Sequence, residues 1–81
     1  MQLKILSPER VVYDGQAASV VLPGTSGAFE VLPRHAALVS SLDVGRVTYV
    51  VDGREQSLDI LSGFVEVESD TITVAVICDN S

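Results

Sequence analysis

In this 81-residue chain, the tripeptide Pro33-Arg34-His35 is the segment whose side chains are best suited to chemistry or binding. It places the only histidine beside an arginine, next to a proline that restricts the backbone, and it interrupts an apolar run. The ring could bond to nearby backbone and fix the turn, or it could bond to a partner across an interface with Arg34 as a second donor. The residues leave both interpretations open. Catalysis is disfavoured, because the segment itself contains no partner for His35.

The other candidates for chemistry are weaker. Residues 24–27, Gly-Thr-Ser-Gly, lack the Gly-Lys-Ser/Thr of a phosphate loop and predict a tight turn. Glu66 and Glu68 would share one face of a strand, which we interpret as a solvated face. Cys78 is interpreted as a small apolar side chain, because Asp79 would disfavour a thiolate. One His and one Cys are too few for an ordinary zinc site, so we expect no metal. Since the other candidates are weak as well, we also expect no enzyme and no cofactor.

Composition narrows the class of protein. Eleven acidic residues against five basic ones give a net charge of −6, which disfavours binding to nucleic acid or to anionic lipid. A single cysteine offers no disulfide, and no apolar run approaches the ~20 residues of a membrane span. No signal peptide is visible. The chain therefore predicts one soluble, intracellular domain over residues 1–78, followed by a short tail at 79–81.

Short β-rich segments separated by turn residues recur along the chain and indicate the fold class. The segments are 3–6, 11–13, 17–22, 28–32, 37–42, 46–51, 55–60, 64–68 and 71–77. This pattern predicts an all-β protein, a flattened β-sandwich or barrel of about ten short, mostly antiparallel strands. Residues 36–41 have an alternative as one helical turn.

Two local patterns are more specific. Asp52-Gly53 supplies the positive φ angles of a type I′ turn, so its flanking segments should form an antiparallel hairpin. Ile72, Val74 and Val76 alternate with polar or small residues and should share one buried face of the last strand.

Several of these segments also occur in the order and spacing of a known family. They are Ile5-Leu6-Ser7-Pro8-Glu9-Arg10, Tyr13-Asp14-Gly15, the set Gly27, Val31, Pro33, His35 and Ala36, the set Leu38, Leu42, Gly45 and Val47, then Ser62-Gly63-Phe64-Val65-Glu66-Val67 and Ile72-Thr73-Val74. From residue 3 to about 77 the chain resembles the amino-terminal domain of the epsilon subunit of F-type ATP synthases.

The resemblance implies a ten-stranded β-sandwich with a mechanical role. Such a subunit is a non-catalytic part of the central stalk that binds the gamma subunit and contacts the c-ring, at the cytoplasmic face of a bacterial inner membrane. No homo-oligomer is expected in that complex. The interface residues implied here are Ala28, Glu30, Pro33, Arg34 and His35. The alternatives are an unrelated small β-sandwich adaptor, and a ligand-binding barrel or hydrolase with an open apolar cavity.

The chain also departs from the family pattern. An acid usual at position 28 is displaced to Glu30, which on a strand would keep the same face as Ala28. Arg34 stands where Gly is common, so we expect the corner not to require a positive φ. Ala37 replaces a frequent Pro. No helical pattern follows Ile77, so we expect a version without the carboxy-terminal helical hairpin and without its ATP sensing. The alternative is a truncated chain, in which the same domain would still fold.

Overall fold

A computed structural model describes residues 1–79 and contains eight strands. The strands are β1 (Gln2–Leu6), β2 (Val11–Gln16), β3 (Ser19–Gly24), β4 (Gly27–Val31), β5 (Leu38–Leu42), β6 (Gly45–Val51), β7 (Arg54–Glu68) and β8 (Thr71–Cys78). The all-β prediction is confirmed. The predicted tail at 79–81 lies outside the described residues from position 80 onward.

All eight strands belong to one hydrogen-bonded sheet that folds into two layers. The order is β2-β1-β8-β7-β5-β3-β4, and β6 bridges β3 and β7. The first layer holds β2, β1, β8, the second half of β7 and β5. The second layer holds the first half of β7, β6, β3 and β4. Every pairing is antiparallel except β1 with β8, as the prediction of mostly antiparallel strands requires.

Strand β7 accounts for the difference between the nine predicted segments and the eight observed strands. The predicted segments 55–60 and 64–68 are two halves of this 15-residue strand. Its first half pairs with β6 as far as Ile60, and its second half pairs with β5 from Gly63 onward. Leu61 is skipped in the register with β8, so a β-bulge bends the strand from one layer to the other.

Local predictions have mixed outcomes. Asp52 and Gly53 have φ angles of 51° and 76° between the paired residues Val51 and Arg54, so the type I′ hairpin is confirmed. Residues 38–42 form a strand, which removes the helical alternative for most of that segment. The expectation that Asp14-Gly15 ends the second strand is wrong. Both residues pair with β1 there.

Aliphatic side chains from both layers fill the core. Ile72, Val74 and Val76 are almost fully buried, which confirms the predicted face of β8. Their neighbours in the core are Leu3, Ile5, Ala17, Val20, Leu22, Val31, Leu42, Val47, Tyr49, Ile60, Val65 and Val67. Cys78 packs against this cluster, as expected of a small apolar side chain.

Tyr13 of β2 and Tyr49 of β6 make a contact between the layers, with ring centroids 5.1 Å apart. The Tyr13 hydroxyl donates to the Gln16 carbonyl at 2.6 Å. Burial raises the pKa of Tyr49 above its ordinary value of 10.0, because a phenolate loses more hydration there than a phenol does.

Replacing Gly63 by Ala tests the bend of β7. A Cβ at this position would lie 2.7 Å from the Ala75 carbonyl oxygen, which belongs to the backbone of β8 and moves only with that strand. We expect Gly63→Ala to lower the free energy of unfolding by about 1–3 kcal/mol. Denaturant titration measures this loss. Ser62→Ala, at the exposed neighbouring residue, is the control and should stay within about 0.5 kcal/mol of wild type.

The raised pKa of Tyr49 predicts a loss of stability in alkali. Below the ordinary value of 10.0 the phenol is neutral in both states, so its full contribution is present. As the pH rises through 10.0 toward the higher folded value, the unfolded state loses its proton first and gains stability. Unfolding titrations at increasing pH should therefore show a steeper decline for wild type than for Tyr49→Phe. Parallel declines would contradict the assignment.

Candidate functional site

The Pro33-Arg34-His35 corner is a β-turn with an unusual backbone. The His35 amide donates to the Leu32 carbonyl at 3.1 Å, which closes the turn around Pro33 and Arg34. Arg34 has a φ of 68°. Proline followed by a residue of positive φ is the pattern of a type II turn, in which the second central position usually needs Gly. The expectation that this corner requires no positive φ is therefore wrong.

Asp70 holds this corner from another part of the chain. Its Oδ1 accepts a hydrogen bond of 3.2 Å from the Arg34 amide, and its backbone carbonyl accepts one of 3.1 Å from the Gln2 amide. The Met1 ammonium lies 4.0 Å from Asp70 Oδ2. The corner is thereby tied to the β7–β8 turn and to the beginning of β1. Sequence reasoning missed Asp70, because no local pattern relates it to residues 36 positions earlier.

His35 is half-buried, and its ring bonds to backbone. Nδ1 lies 2.8 Å from the Ala36 carbonyl oxygen. A carbonyl only accepts, so Nδ1 carries the proton and donates it, and Nε2 is free to accept when the ring is neutral. Within residues 1–79 no hydrogen bond occupies Nε2. The geometry thus contains the turn-fixing bond and still leaves one ring nitrogen for a partner.

Ala28 and Glu30 lie on β4, the strand at the edge of the second layer. Both are exposed. Phe29, which lies between them, and Val31, which follows Glu30, face the core. The expectation that positions 28 and 30 share one face is confirmed. The corner follows directly after Val31. The structure therefore places the five predicted interface residues along one edge strand and the turn that ends it, which we call the β4 edge.

A second surface was not anticipated from the sequence. We define the apolar outer face as the solvent-facing apolar residues of the first layer, namely Leu6, Val11, Val39, Phe64, Ala75 and Ile77. The exposed fractions of Val39, Val11, Phe64 and Ile77 are 61%, 56%, 49% and 46%.

Four of these residues are linked by direct cross-strand pairing, whereas Val39 lies opposite Glu66. Phe64 and Leu6 are both paired with Ala75, and Leu6 is also paired with Val11. A shallow groove runs between Leu6, Phe64 and Ile77. An apolar face of this kind is typical of a surface that another protein covers. Alternation in β7 and β8 indicated one buried face. It did not show that the opposite face has an apolar patch around Phe64, next to Glu66 and Glu68.

Other kinds of site were sought in the part of the chain that the structure describes. Within residues 1–79 no three His, Cys, Asp or Glu side chains are grouped so that they could hold a metal ion. Glu66 and Glu68 are exposed, as expected of a solvated face. Residues 24–27 form the turn between β3 and β4. No helix in the described range is long and apolar enough to cross a bilayer.

Solved structures share this fold. The chain superposes on a chain of the Tetrahymena thermophila mitochondrial ATP synthase, in a structure of its central stalk and c-ring, with a TM-score of 0.82 at 12% identity. The match covers 94% of this chain and 62% of that one. A chain of the Euglena gracilis mitochondrial ATP synthase gives 0.86 at 18% identity, covering 93% and 49%. At these identities the likeness concerns the fold.

Sequence relatives are closer. The chain is 42% identical over 76 residues to an ATP synthase epsilon chain of Synechococcus sp. (strain CC9311), and 41% identical over 76 residues to that of Prochlorococcus marinus (strain MIT 9303). These matches cover 94% of this chain and 56% and 57% of the relatives, so the chain spans little more than half their length. The family described as ATP synthase, Delta/Epsilon chain, beta-sandwich domain matches residues 1–77. The chain belongs to this family of ATP synthase β-sandwich domains.

Proposed function

We propose that this protein is a non-catalytic subunit of the central stalk of an F-type ATP synthase, where it binds the gamma subunit and contacts the c-ring. In this role it turns with the rotor and helps to couple ion translocation to ATP synthesis. It resides at the cytoplasmic face of a bacterial inner membrane through the complex. The family match over residues 1–77 carries this proposal. The two surfaces described above support it, because each suits a different contact.

The apolar outer face suits the gamma subunit. A subunit that turns with the stalk needs a contact that does not dissociate during rotation, and durable interfaces have an apolar centre. Phe64 lies in the middle of the face, between Ala75 on β8 and Ser41 on β5. Aromatic side chains in such positions commonly contribute most of the binding energy. We assign gamma to this face and Phe64 as its anchor.

The β4 edge suits the c-ring. Apart from Leu32, which is 50% exposed, its exposed residues are polar or small. Glu30, Arg34 and His35 provide an acceptor, a cation and a ring nitrogen. Polar contacts of this kind fix orientation and register more than they contribute affinity. Two surfaces of different character allow one small sandwich to join two rotor parts.

Substitution of Phe64 by Glu tests the gamma contact. We expect Phe64→Glu to weaken binding of purified gamma by at least about tenfold, because a charge would have to be desolvated at the centre of the interface. Interferometry with immobilised gamma measures the Kd. Val44→Glu introduces the same charge at an exposed apolar residue outside the face and should bind like wild type. If wild type forms no complex with gamma at micromolar concentration, the proposed function is overturned.

Substitutions in the corner test the second contact. Arg34→Ala and His35→Ala should weaken assembly onto a gamma–c-ring complex several-fold, with little change in thermal stability, because Arg34 is exposed and the ring bond of His35 is a local one. Co-sedimentation and thermal denaturation report the two quantities. Arg54→Ala removes the same charge from the exposed beginning of β7 and is the control. A loss of stability in the isolated domain that matches the loss of assembly would mean that these residues only fix the turn.

A further inference from the structure

The turn at Pro33-Arg34 has two accessible forms. In a type I turn the second central residue has a φ near −90°, which suits most side chains, whereas type II needs a positive φ and usually Gly. Proline at the first central position is compatible with both forms. With Arg34 in second place, local preference favours type I. The observed φ of 68° is that of type II, so local preference alone does not explain the turn.

The Asp70 carboxylate supplies an interaction from another part of the chain. The two turn types differ mainly in the orientation of the peptide unit between their central residues, here the unit that carries the Arg34 amide. In type II this amide reaches Asp70 Oδ1 at 3.2 Å. Rotation of the peptide unit to its type I orientation would turn the N–H away from the carboxylate and break the bond. Asp70 therefore stabilises only the type II form of the turn.

Asp70 is itself fixed in place. It forms the β7–β8 turn with Ser69, and the two residues have φ angles of 63° and 49°. Its carbonyl accepts the Gln2 amide of β1 at 3.1 Å, and the Met1 ammonium lies 4.0 Å from Oδ2. The beginning of β1 thus fixes the Asp70 backbone, and the Met1 ammonium lies near its carboxylate.

The positive charge of Arg34 has no partner within the described residues. Within residues 1–79 its guanidinium has no hydrogen bond or ion pair, whereas that of Arg46 pairs with Asp59 at 2.9 Å. The chain has 11 acidic residues, and the corner still leaves this cation unpaired. A left-handed backbone would be easier for Gly, so the side chain must offset that disadvantage. A guanidinium that is exposed and unpaired suits a carboxylate, which it can bind with two parallel hydrogen bonds.

We propose that Asp70 is a positioning residue that selects the type II form of the Pro33-Arg34 turn and thereby presents the Arg34 guanidinium to a carboxylate on the rotor partner at the β4 edge. The recognition step rests on the proposed function. The selection of the turn does not, since it takes place within the isolated domain.

The first experiment measures the turn itself by NMR on the isolated protein. Type II brings the Pro33 Hα close to the Arg34 amide proton, so wild type should show a strong cross-peak between them, and type I should show a weak one. Asp70→Gly removes the carboxylate while easing the positive φ of the β7–β8 turn, and we expect the cross-peak to weaken. Asp70→Asn keeps an acceptor oxygen and should preserve it. A strong cross-peak in Asp70→Gly would overturn the role of Asp70.

The second experiment measures binding to a purified gamma–c-ring complex at low and high salt. At low salt Asp70→Gly should weaken binding about fivefold and Asp70→Asn less than about twofold, because only the former frees the turn. Arg34→Gly should keep the type II turn without Asp70, raise the melting temperature by a few degrees, and still lose about tenfold in binding because the guanidinium is absent. These differences should shrink at high salt.

The outcomes separate the two claims. If Asp70→Gly loses the type II turn and binds like wild type, Asp70 sets the turn but recognition does not depend on it, and the proposal is overturned. If Arg34→Gly binds like wild type, the partner offers no carboxylate to this corner, and the proposal is likewise overturned. If wild type does not bind the rotor complex at all, the proposed function fails together with the recognition step. The NMR comparison would still decide whether Asp70 selects the turn.

Discussion

Strand β7 passes through both layers of the sandwich, and the rest of the structure depends on its bend between Ile60 and Gly63. Its first half completes the second layer against β6, and its second half lies between β5 and β8 in the first. The layers are therefore continuous through one backbone and cannot slide past each other. The bend also requires a close approach, since a Cβ on Gly63 would meet the Ala75 carbonyl.

The outer side of the first layer has an apolar patch around Phe64 and Ile77, beside the exposed Glu66 and Glu68 of the same face. The inner side of this layer provides valine side chains of β7 and β8 to the core. A small domain gains stability from the inner side alone, so the apolar patch is spare hydrophobic surface for a partner. The polar β4 edge lies in the other layer. The apolar patch and the β4 edge thus lie in different layers of one continuous sheet.

Local sequence patterns correctly predicted the features that depend on neighbouring residues alone. The Asp52-Gly53 turn and the buried side of β8 depend on backbone preferences and alternation, and both could be read from the residues. The family resemblance added the sandwich and the five residues of the β4 edge. Long-range pairing decided the rest. The merging of two predicted strands follows from the partners of β7, and the positive φ of Arg34 follows from a carboxylate on another turn.

The parallel pairing of β1 with β8 has a consequence for how the protein is made. Gln2 pairs with Thr71 and Leu6 with Ala75. Because β1 is synthesised long before β8, one of its two edges stays without a hydrogen-bonded partner strand until β8 has been made. Such long-range closure slows folding. The apolar outer face is spread over β2, β1, β8, β7 and β5, and it is incomplete on a nascent chain. The face is therefore complete only after β8 has been synthesised and paired.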